Sequence, residues 1–267
     1  MPSTESNTTF NEPKIFPEQY VPDHVFVYIE QGSIHCYDGI KNQVLGPGDY
    51  YLFRKHQLIR YFLPKGSDGT VFIRLCLDES FLKKFREAHH PPMTKFTPPD
   101  AFVQIKKNKL IPDFIHSLKR IYHQGEIEEA FTNVKQEELL IILLQHQPEL
   151  AGILFDFGKP AKIDIEEFML RHYKFNVSLA QFAYLTGRSL SAFKRDFSNL
   201  FNQTPSRWLV QKRLQEAYFL LSETHKKPSK IYLDLGFEAF SHFSFAFKKQ
   251  FGLTPTELSG RKQTFSR

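Results

Sequence analysis

The most restrictive feature of this 267-residue chain is a repeat within its last hundred residues. Three phenylalanines at helical spacing, followed by Thr-Pro, occur twice, fifty residues apart. The matching residues are Phe193, Phe197, Phe201 and Thr204-Pro205 in the first copy, and Phe243, Phe247, Phe251 and Thr254-Pro255 in the second. Gly187 and Gly236 precede the copies, where a tight turn between two helices needs glycine. Each copy therefore predicts a short helix, a turn and a longer helix, which is the helix-turn-helix pattern.

The ends of these helices are also predicted by local residues. Ser178 and Gln181 have the spacing of a capping box at the start of the first short helix. Asn202 and Gly252 tolerate left-handed backbone and predict the ends of the two longer helices.

The longer helix of each copy has two chemically different faces. The phenylalanines, with Leu190 in the first copy, predict a buried face. The opposite faces carry small and basic residues, which permit close approach to DNA and contacts with bases or phosphates. The candidate DNA-binding residues are Ser191, Ala192, Lys194, Arg195 and Ser198 in the first copy, and Ser241, His242, Ser244, Phe245 and Lys248 in the second. A salt bridge with a nearby acid is the alternative role for Arg195.

A single helix from roughly Pro205 to Ser222 is predicted between the two copies. Its apolar residues at helical spacing predict the buried positions Trp208, Leu209, Leu214, Ala217, Leu220 and Leu221. A rigid helix here would fix the two recognition helices relative to each other. To enter successive major grooves on one face of DNA, they would have to lie about 34 Å apart.

Charge is distributed unevenly along the chain. Residues 171–267 carry 16 Lys and Arg against 6 Asp and Glu, whereas residues 1–170 carry 19 against 23. The net charge of +6 is therefore a strongly basic last hundred residues beside a mildly acidic remainder. This asymmetry indicates nucleic-acid binding by the C-terminal part alone, and an ordinary solvated basic surface is the alternative.

The first half of the chain has the pattern of a β domain. Short runs rich in Val, Ile, Tyr and Phe, separated by turn residues, predict strands at Val25–Ile29, Ile34–Tyr37, Tyr50–Phe53, Leu58–Phe62 and Thr70–Cys76. Three helices follow: a short one capped by Asp78 and reaching Phe85, one with Pro112 at its first position, and one from about Ala130 to Gln147. The last contains six consecutive apolar residues, 139–144, which predict burial on two sides. One side would cover the sheet, and the other would meet either the same chain or a second subunit.

From Ile163 to Arg261 the chain resembles the AraC/XylS family of bacterial transcription regulators. The motifs that carry the resemblance are Ser178–Ala183, Thr186–Phe197, Arg213–Ala217 and Leu235–Pro255. The family's base-reading positions match Ser191, Ala192, Lys194 and Arg195 in the first copy, and Phe240, Ser241, His242, Ser244 and Phe245 in the second.

Two residues depart from the family's pattern. Tyr232 stands where a small alanine is usual, so the local packing must differ. Phe245 stands where many members carry a polar residue, which favours apolar contact with a thymine methyl group over hydrogen bonding. The first copy is therefore expected to carry more of the sequence specificity.

The N-terminal half is similar, more weakly, to the cupin-like sensor domain attached to many of these regulators. Gly32-Ser33-Ile34 and Leu45–Tyr50 match its turns, and the resemblance implies an effector, a partner protein or a second subunit as the ligand of this domain. Aromatic side chains could line an effector pocket inside the sheets or simply fill the interior. They are Phe26, Tyr28, Tyr37, Tyr51, Phe53, Tyr61 and Phe72.

The predicted fold class is α+β in two domains: a cupin-like antiparallel β domain with flanking helices, then an all-α domain with two helix-turn-helix units joined by a linker helix. The predicted divisions are a disordered tail at 1–20, a sensor and dimerisation domain at 21–150, a linker at 151–162 and a DNA-binding domain at 163–262.

The expected function is sequence-specific regulation of transcription in the cytoplasm. The expected partners are double-stranded promoter DNA, RNA polymerase, a second copy bound through the helices of residues 111–147, and an effector of unknown chemistry. Activation is the expected role, although the sequence does not distinguish an activator from a repressor. No cofactor and no membrane association are expected.

Enzymatic alternatives lack their chemical groups. A metal-dependent cupin usually needs an HxH pair, whereas His24, His35 and His56 are scattered along the chain. A DNA-repair protein with a similar DNA-binding domain and a zinc-bound cysteine cluster needs four cysteines, and the chain has Cys36 and Cys76. No apolar run approaches the eighteen or so residues of a membrane span.

Overall fold

The chain folds into two units, one ending at Gly158 and one beginning at Lys159. The computed structural model describes residues 14–15, 19–63, 70–94, 96, 98, 100–123, 126–127, 129–224 and 226–261. The predicted disordered tail lies almost entirely outside these residues. No helix within the described ranges combines the length and the apolar character needed to cross a bilayer.

The strands of the first unit pair in antiparallel fashion. They are β1 (Lys14–Ile15), β2 (Tyr20–Val21), β3 (His24–Gln31), β4 (Ile34–Tyr37), β5 (Asn42–Leu45), β6 (Tyr50–Phe53), β7 (Gln57–Leu58), β8 (Arg60–Leu63), β9 (Val71–Leu77), β10 (Phe102–Gln104), β11 (Tyr122–His123) and β12 (Glu126–Ile127). One sheet has the order β1-β8-β4-β5 and another the order β10-β6-β3-β9, while β2 pairs with β7 and β11 with β12.

The sheet that contains β3 and β6 is covered on both faces. All four residues of β6 are buried. Because successive side chains of a strand point to opposite faces, Tyr50 and Leu52 join one core and Tyr51 and Phe53 join another. The first core includes helical residues, and the second includes residues of the β4 and β5 sheet. The aromatic side chains therefore belong to two packed layers, with Phe26 in the first.

Four helices of the first unit lie in the described part of the chain: α1 (Glu79–His89), α2 (Leu110–Ile121), α3 (Glu129–His146) and α4 (Ala151–Leu154). Asp78 caps α1 by accepting a hydrogen bond of 2.9 Å from the Phe81 N–H, as its position predicts. α2 begins two residues before Pro112, which corrects the predicted start. The cause is Asn108, whose side-chain oxygen accepts hydrogen bonds from the N–H groups of Leu110 and Ile111.

The apolar run of α3 is mainly core. Leu139, Leu140, Ile142 and Leu143 are buried, and Leu144 is half-buried. Ile141 is the exposed member, with 38% of its surface accessible. The face of α3 that meets solvent is extended by two other apolar residues.

These two residues are Phe131 and Val134, which are 43% and 59% exposed. Together with Ile141 they follow at intervals of three and seven residues, which places them on one side of the helix. We call Phe131, Val134 and Ile141 the α3 stripe.

The first unit extends beyond the predicted boundary at residue 150. Residues 151–155, which the sequence predicts as the start of a linker, form α4 and the residue after it. Ala151, Ile153, Leu154 and Phe155 are buried in the same core as α1 and α2. These apolar side chains explain why the segment packs into the core. The sequence indicated a linker because Gly152 and the nearby prolines give the segment the composition of a turn.

The second unit is helical in its described residues. Its helices are α5 (Ile165–His172), α6 (Leu179–Leu185), α7 (Leu190–Phe201), α8 (Pro205–Glu223), α9 (Pro228–Ile231), α10 (Phe240–Phe251) and α11 (Pro255–Arg261). An antiparallel β unit followed by a helical unit confirms the predicted α+β fold class. α8 is the predicted helix between the two copies of the repeat.

One buried histidine makes the first unit sensitive to acid. His24 is 1% exposed, and its Nδ1 accepts a hydrogen bond of 3.3 Å from the Lys55 N–H. Burial, and then the positive charges of Lys55 and Arg54, lower the pKa of His24 from 6.5 to about 3. Between pH 6.5 and about pH 3, His24 is therefore protonated in the unfolded chain and neutral in the folded chain.

We expect this histidine to lower the free energy of unfolding by about 2 kcal/mol between pH 7 and pH 5, with further loss towards pH 3. The measurement is urea unfolding of the full chain followed by circular dichroism at each pH. His24→Gln removes the titrating group and should flatten this part of the pH profile. An identical profile for the variant and the unchanged chain would contradict the assignment.

Candidate nucleic-acid interface

Both copies of the repeat form a helix, a turn and a second helix, α6 with α7 and α9 with α10. Ser178 and Gln181 form a reciprocal capping box at the start of α6, as predicted. Ser189 caps α7 by accepting a hydrogen bond of 3.2 Å from the Ala192 N–H. A polar side chain therefore fixes the start of each helix of the first copy.

Each turn requires glycine for two separate reasons. Gly187 and Gly236 have φ angles of +67° and +83°, which side chains rarely permit. Another segment also approaches each glycine closely. A Cβ atom on Gly187 would lie 2.6 Å from the carbonyl oxygen of Ala161, and one on Gly236 would lie 2.6 Å from that of Lys174. The turns are thus the points at which neighbouring backbone packs against each helix-turn-helix unit.

The longer helices end as their sequences predict. Asn202 ends α7 and Gly252 ends α10, both in the left-handed conformation. After α10, Thr254 and Glu257 cap α11 reciprocally: Thr254 N–H donates to Glu257 Oε2 at 2.6 Å, and Glu257 N–H donates to Thr254 Oγ1 at 3.2 Å. Local chemistry therefore defines where both longer helices end.

The phenylalanine stripes pack towards α8. Phe193, Phe197, Phe243 and Phe247 have no accessible surface. In the first copy of the repeat, Trp208 of α8 lies 5.6 Å from the ring of Phe197 and 5.0 Å from that of Phe201. In the second copy, Tyr218 of α8 lies 6.3 Å from Phe247 and 4.8 Å from Phe251. The distances join ring centroids. Each recognition helix is thereby held against its own part of the same helix.

Leu190 does not join the buried stripe, which corrects the prediction. It is 38% exposed, although it lies three residues before the buried Phe193. Leu190 is the first residue of α7, directly after its cap. Helical spacing places its side chain on the correct side, but the core does not extend as far as the first turn of the helix.

The predicted DNA-binding residues lie on the solvent side of α7 and α10. Those classed as exposed are Ser191, Lys194, Arg195, Ser241, His242, Phe245 and Lys248, and those half-buried are Ala192, Ser198 and Ser244. Phe245 is 71% exposed, an unusual state for so large an apolar side chain. Phe240, another position matched to the family, is half-buried and packs edge-on against Tyr232.

Two arginines near α7 have different surroundings. Arg188 donates from Nη1 to the carbonyl oxygens of Ile163 and Thr186 at 2.8 and 2.6 Å. It also pairs with Asp196, from Nε to Oδ2 at 3.3 Å, and its side chain is 10% exposed. Arg195 pairs with Oδ1 of Asp196 at 3.2 Å and stays 71% exposed. The predicted alternative of a salt bridge and the predicted exposure thus occur together at Arg195.

The carboxyl group of Asp196 is held as an anion by these contacts. Partial desolvation raises its pKa, but hydrogen bonds from Arg188 and Arg195 outweigh that rise, so the pKa lies below its usual value. Asp196 therefore partly neutralises the basic face of α7 at neutral pH. The remaining positive charge on this face comes from Lys194 and from the incompletely balanced arginines.

A third arginine, Arg213, was not among the predicted residues. It is 8% exposed in the middle of α8, and its guanidinium donates hydrogen bonds to three backbone carbonyl oxygens. A signal for this burial was present in the sequence, because Leu209, Arg213 and Ala217 follow at four-residue spacing along the buried side of α8. A charged residue is normally assigned to the surface, which hides the pattern.

The described residues offer little for a metal ion. No group of three or more His, Cys, Asp or Glu side chains comes together among them in a way that could hold one. His24 is buried in the first unit, His35 lies beside Phe62 at 5.1 Å between ring centroids, and His56 bonds to the Tyr20 hydroxyl at 2.9 Å. Each histidine thus has packing or hydrogen-bonding contacts of its own.

Two family models match the chain. One describes a helix-turn-helix domain and matches residues 182–261, which contain both turns and both recognition helices. The other describes the ExsA N-terminal regulatory domain and matches residues 24–153, which contain the β strands from β3 onward and the helices α1 to α3.

Several curated proteins are similar in sequence. The HTH-type transcriptional regulator ExsA of Pseudomonas aeruginosa is 23% identical over 237 residues, which cover 87% of this chain and 84% of ExsA. The virulence regulon transcriptional activator VirF of Yersinia enterocolitica is 26% identical over 150 residues, 55% of each protein. These relatives are regulators of transcription, which bears out the prediction that the chain is not an enzyme.

Among solved structures, ToxT of Vibrio cholerae is 13% identical and aligns over 96% of this chain and 99% of its own, with a TM-score of 0.44. The DNA-binding domain of AdpA in complex with a target DNA is 20% identical, covers 38% of this chain and 92% of its own, and has a TM-score of 0.36.

One family model matches within the N-terminal unit and the other within the C-terminal unit, and the sequence relatives are regulators of transcription. The geometry of α6–α7 and α9–α10 agrees with the helix-turn-helix description. The chain belongs to the AraC/XylS family of transcription regulators and carries that family's type of DNA-binding domain.

Proposed function

We propose that this regulator inserts α7 and α10 into successive major grooves of promoter DNA and reads its sequence there. The observation that carries the proposal is the pair of solvent-facing recognition helices attached to a single helix, α8. Each one buries its phenylalanines and leaves small and basic residues outside. A basic second unit supplies the long-range attraction to the phosphate backbone.

The first recognition helix has the chemistry for hydrogen-bonded readout. Ser191 and Ala192 are small enough to let α7 approach the floor of the groove. Arg195 can donate two hydrogen bonds to one guanine, a contact that discriminates by about 1–3 kcal/mol against the wrong base. Lys194 is exposed beside it and can reach a base or a phosphate. We propose that Ser198 contacts the DNA at the far end of this face.

The second recognition helix favours a mixed contact. Phe245 projects from α10 with 71% of its surface exposed, which suits apolar contact with a thymine methyl group. Ser241, His242 and Ser244 are the hydrogen-bonding groups around it, and Lys248 lies one turn further along for a phosphate. We therefore assign a larger share of the sequence specificity to α7 than to α10.

The first unit would control DNA binding through its helices. Support comes from the layers around β3 and β6, whose aromatic residues Phe26, Tyr51 and Phe53 are buried in two packed cores. A groove of about 420 Å³ lies instead between α1 and α3. Across this groove, His89 Nε2 lies 2.7 Å from Glu137 Oε1, within hydrogen-bonding distance. We propose that an effector or partner protein acts on this helical side, and that DNA-bound regulator contacts RNA polymerase.

In-vitro selection from a random DNA library with the full-length protein tests this function. We expect an enriched motif with two short blocks about one helical turn apart, because two rigidly joined helices must enter successive grooves. Enrichment by residues 160–267 but not by the full chain would mean that the first unit restrains DNA binding. Failure of both proteins to enrich any motif would contradict sequence-specific recognition.

Arg195→Ala refines the same experiment. We expect the variant to stay folded and to lose preference at one position of one block, with about a tenfold loss of affinity for the selected site. Arg171→Ala is the matched control, since Arg171 is also exposed and pairs with a nearby carboxylate, Glu167, at 3.0 Å. Unchanged preference in Arg195→Ala would remove Arg195 from the readout set.

We also propose that the α3 stripe joins two copies of the chain. Phe131, Val134 and Ile141 expose apolar surface on one side of a long helix, and identical helices can cover such a patch symmetrically. The proposal keeps the expected dimer helices of residues 111–147. Within the run 139–144 it retains only the exposed Ile141, because most of the other residues of the run are buried.

Val134→Asp and Ile141→Asp should each convert a dimer into a folded monomer, because a carboxylate would have to be buried at the interface. Analytical ultracentrifugation measures the mass, and circular dichroism verifies the fold. Asn133→Asp places the same charge on the adjoining exposed face of α3 and should leave the dimer intact. A monomeric unmodified protein at tens of micromolar, or dimeric stripe variants, would contradict the proposal.

A further inference from the structure

Arg213 is a buried cation at the centre of the second unit. Its three donors point in fixed directions, and each reaches a backbone carbonyl oxygen. Nε donates to Tyr173 at 2.7 Å, Nη2 to Phe175 at 2.7 Å and Nη1 to Gly236 at 2.8 Å. Charge-assisted bonds of this kind in a dry environment are stronger than neutral ones and more sensitive to direction.

The three carbonyl groups come from both halves of the DNA-binding unit. Tyr173 and Phe175 belong to the segment between α5 and α6, which leads into the first helix-turn-helix. Gly236 is the turn glycine of the second. One side chain therefore joins α8 to both helix-turn-helix units.

The contact depends on the absence of a side chain at Gly236. A Cβ atom there would lie 2.6 Å from the carbonyl oxygen of Lys174 and 2.9 Å from Cζ of Arg213. The second turn thus packs directly on the guanidinium and on the segment before α6. This is a reason for glycine beyond its φ of +83°.

Two exposed or half-buried contacts bridge the same segments. Lys174 Nζ donates to Glu216 Oε1 of α8 at 2.9 Å. Asn176 Nδ2 donates to Glu238 Oε1, two residues after the second turn, at 2.9 Å. Arg213 is buried, whereas the side chains of these two contacts are more exposed.

We call Arg213 and its three carbonyl partners the Arg213 clamp.

The clamp lies midway between the aromatic anchors of the two recognition helices. Trp208 holds the first stripe and Tyr218 the second, five residues on either side of Arg213. Ten residues of helix span roughly 15 Å along the axis. The anchors fix each recognition helix to α8, but aromatic packing tolerates small rotations. Directed hydrogen bonds at the midpoint restrict the angle between the two helix-turn-helix units.

We propose that Arg213 is a positioning residue that sets which spacing between the two DNA blocks the protein accepts. This inference rests on the proposed function of two units reading two blocks. One added base pair moves the second block by roughly 3.4 Å along the axis and turns it by roughly 34°. A clamped pair of helices cannot follow that change without losing contacts, whereas a loosened pair can.

The test uses two variants that weaken the clamp and one control. Arg213→Lys keeps the charge but cannot reach three carbonyl groups in a fixed fork. Gly236→Ala forces the second turn away from the guanidinium. Gly252→Ala is the matched control, because Gly252 also has a positive φ, +78°, lies in the second unit, and has no atom within 4 Å of an added Cβ.

The full-length proteins are titrated with duplexes carrying the two selected blocks at the preferred spacing and with one or two base pairs added or removed. We expect the unmodified protein and Gly252→Ala to bind altered spacings at least about tenfold more weakly. For Arg213→Lys and Gly236→Ala this ratio should fall below about threefold. The ratio, unlike the affinity itself, is unaffected by a general loss of stability.

Each outcome decides the matter. Clamp variants that keep the spacing ratio of the unmodified protein overturn the inference and leave the proposed function intact. An unmodified protein with no spacing preference contradicts the proposed function itself. If both clamp variants are unfolded by circular dichroism while Gly252→Ala is folded, Arg213 serves the stability of the fold, and its role in spacing is likewise overturned.

Discussion

The packing of two phenylalanine stripes against one helix is the interaction on which the DNA-binding unit depends. Phe197 meets Trp208 and Phe247 meets Tyr218, so both recognition helices share α8 as their support. Truncating a buried phenylalanine typically costs about 3–5 kcal/mol, a large part of the stability of a domain this size. A recognition helix therefore cannot roll far enough to expose these phenylalanines without losing more free energy than a base contact supplies. The core thus determines which residues each recognition helix presents to solvent.

A different constraint governs the first unit, where one sheet is buried on both faces. β3 and β6 place alternate residues in two cores, and that leaves little room for a ligand between the strands. Two accessible features of this unit lie on its helices: the groove between α1 and α3, and the α3 stripe. Packing of this kind favours an effector or partner that binds the helical surface over a small molecule bound inside the sheets.

Patterns with a local physical cause were predicted well from the sequence. The phenylalanine stripes, the helix ends at Asn202 and Gly252, and the capping box at Ser178 depend on residues within one or two turns of helix. The α+β order of the two units also follows from such local periodicity.

Features that depend on distant partners were missed. β10 has three residues and exists through pairing with β6, and β5 carries exposed Asn42 and Val44, so it resembles a loop. Leu190 matches the buried pattern at a point where the core has already ended. Arg213 is buried because three carbonyl groups surround it, and those carbonyl groups come from residues up to forty positions away.

The partners of each guanidinium also explain why the three arginines Arg188, Arg195 and Arg213 of the second unit suit different roles. An exposed pair such as Arg195 with Asp196 is weakened by the surrounding water, so the guanidinium can leave its carboxylate for a base at little cost. Moving Arg188 would leave the carbonyl groups of Ile163 and Thr186 without their donor in a half-buried turn. Moving Arg213 would do so in the core. Availability for DNA is therefore decided by what each guanidinium would abandon, and by that measure Arg195 is the arginine of the three best suited to DNA.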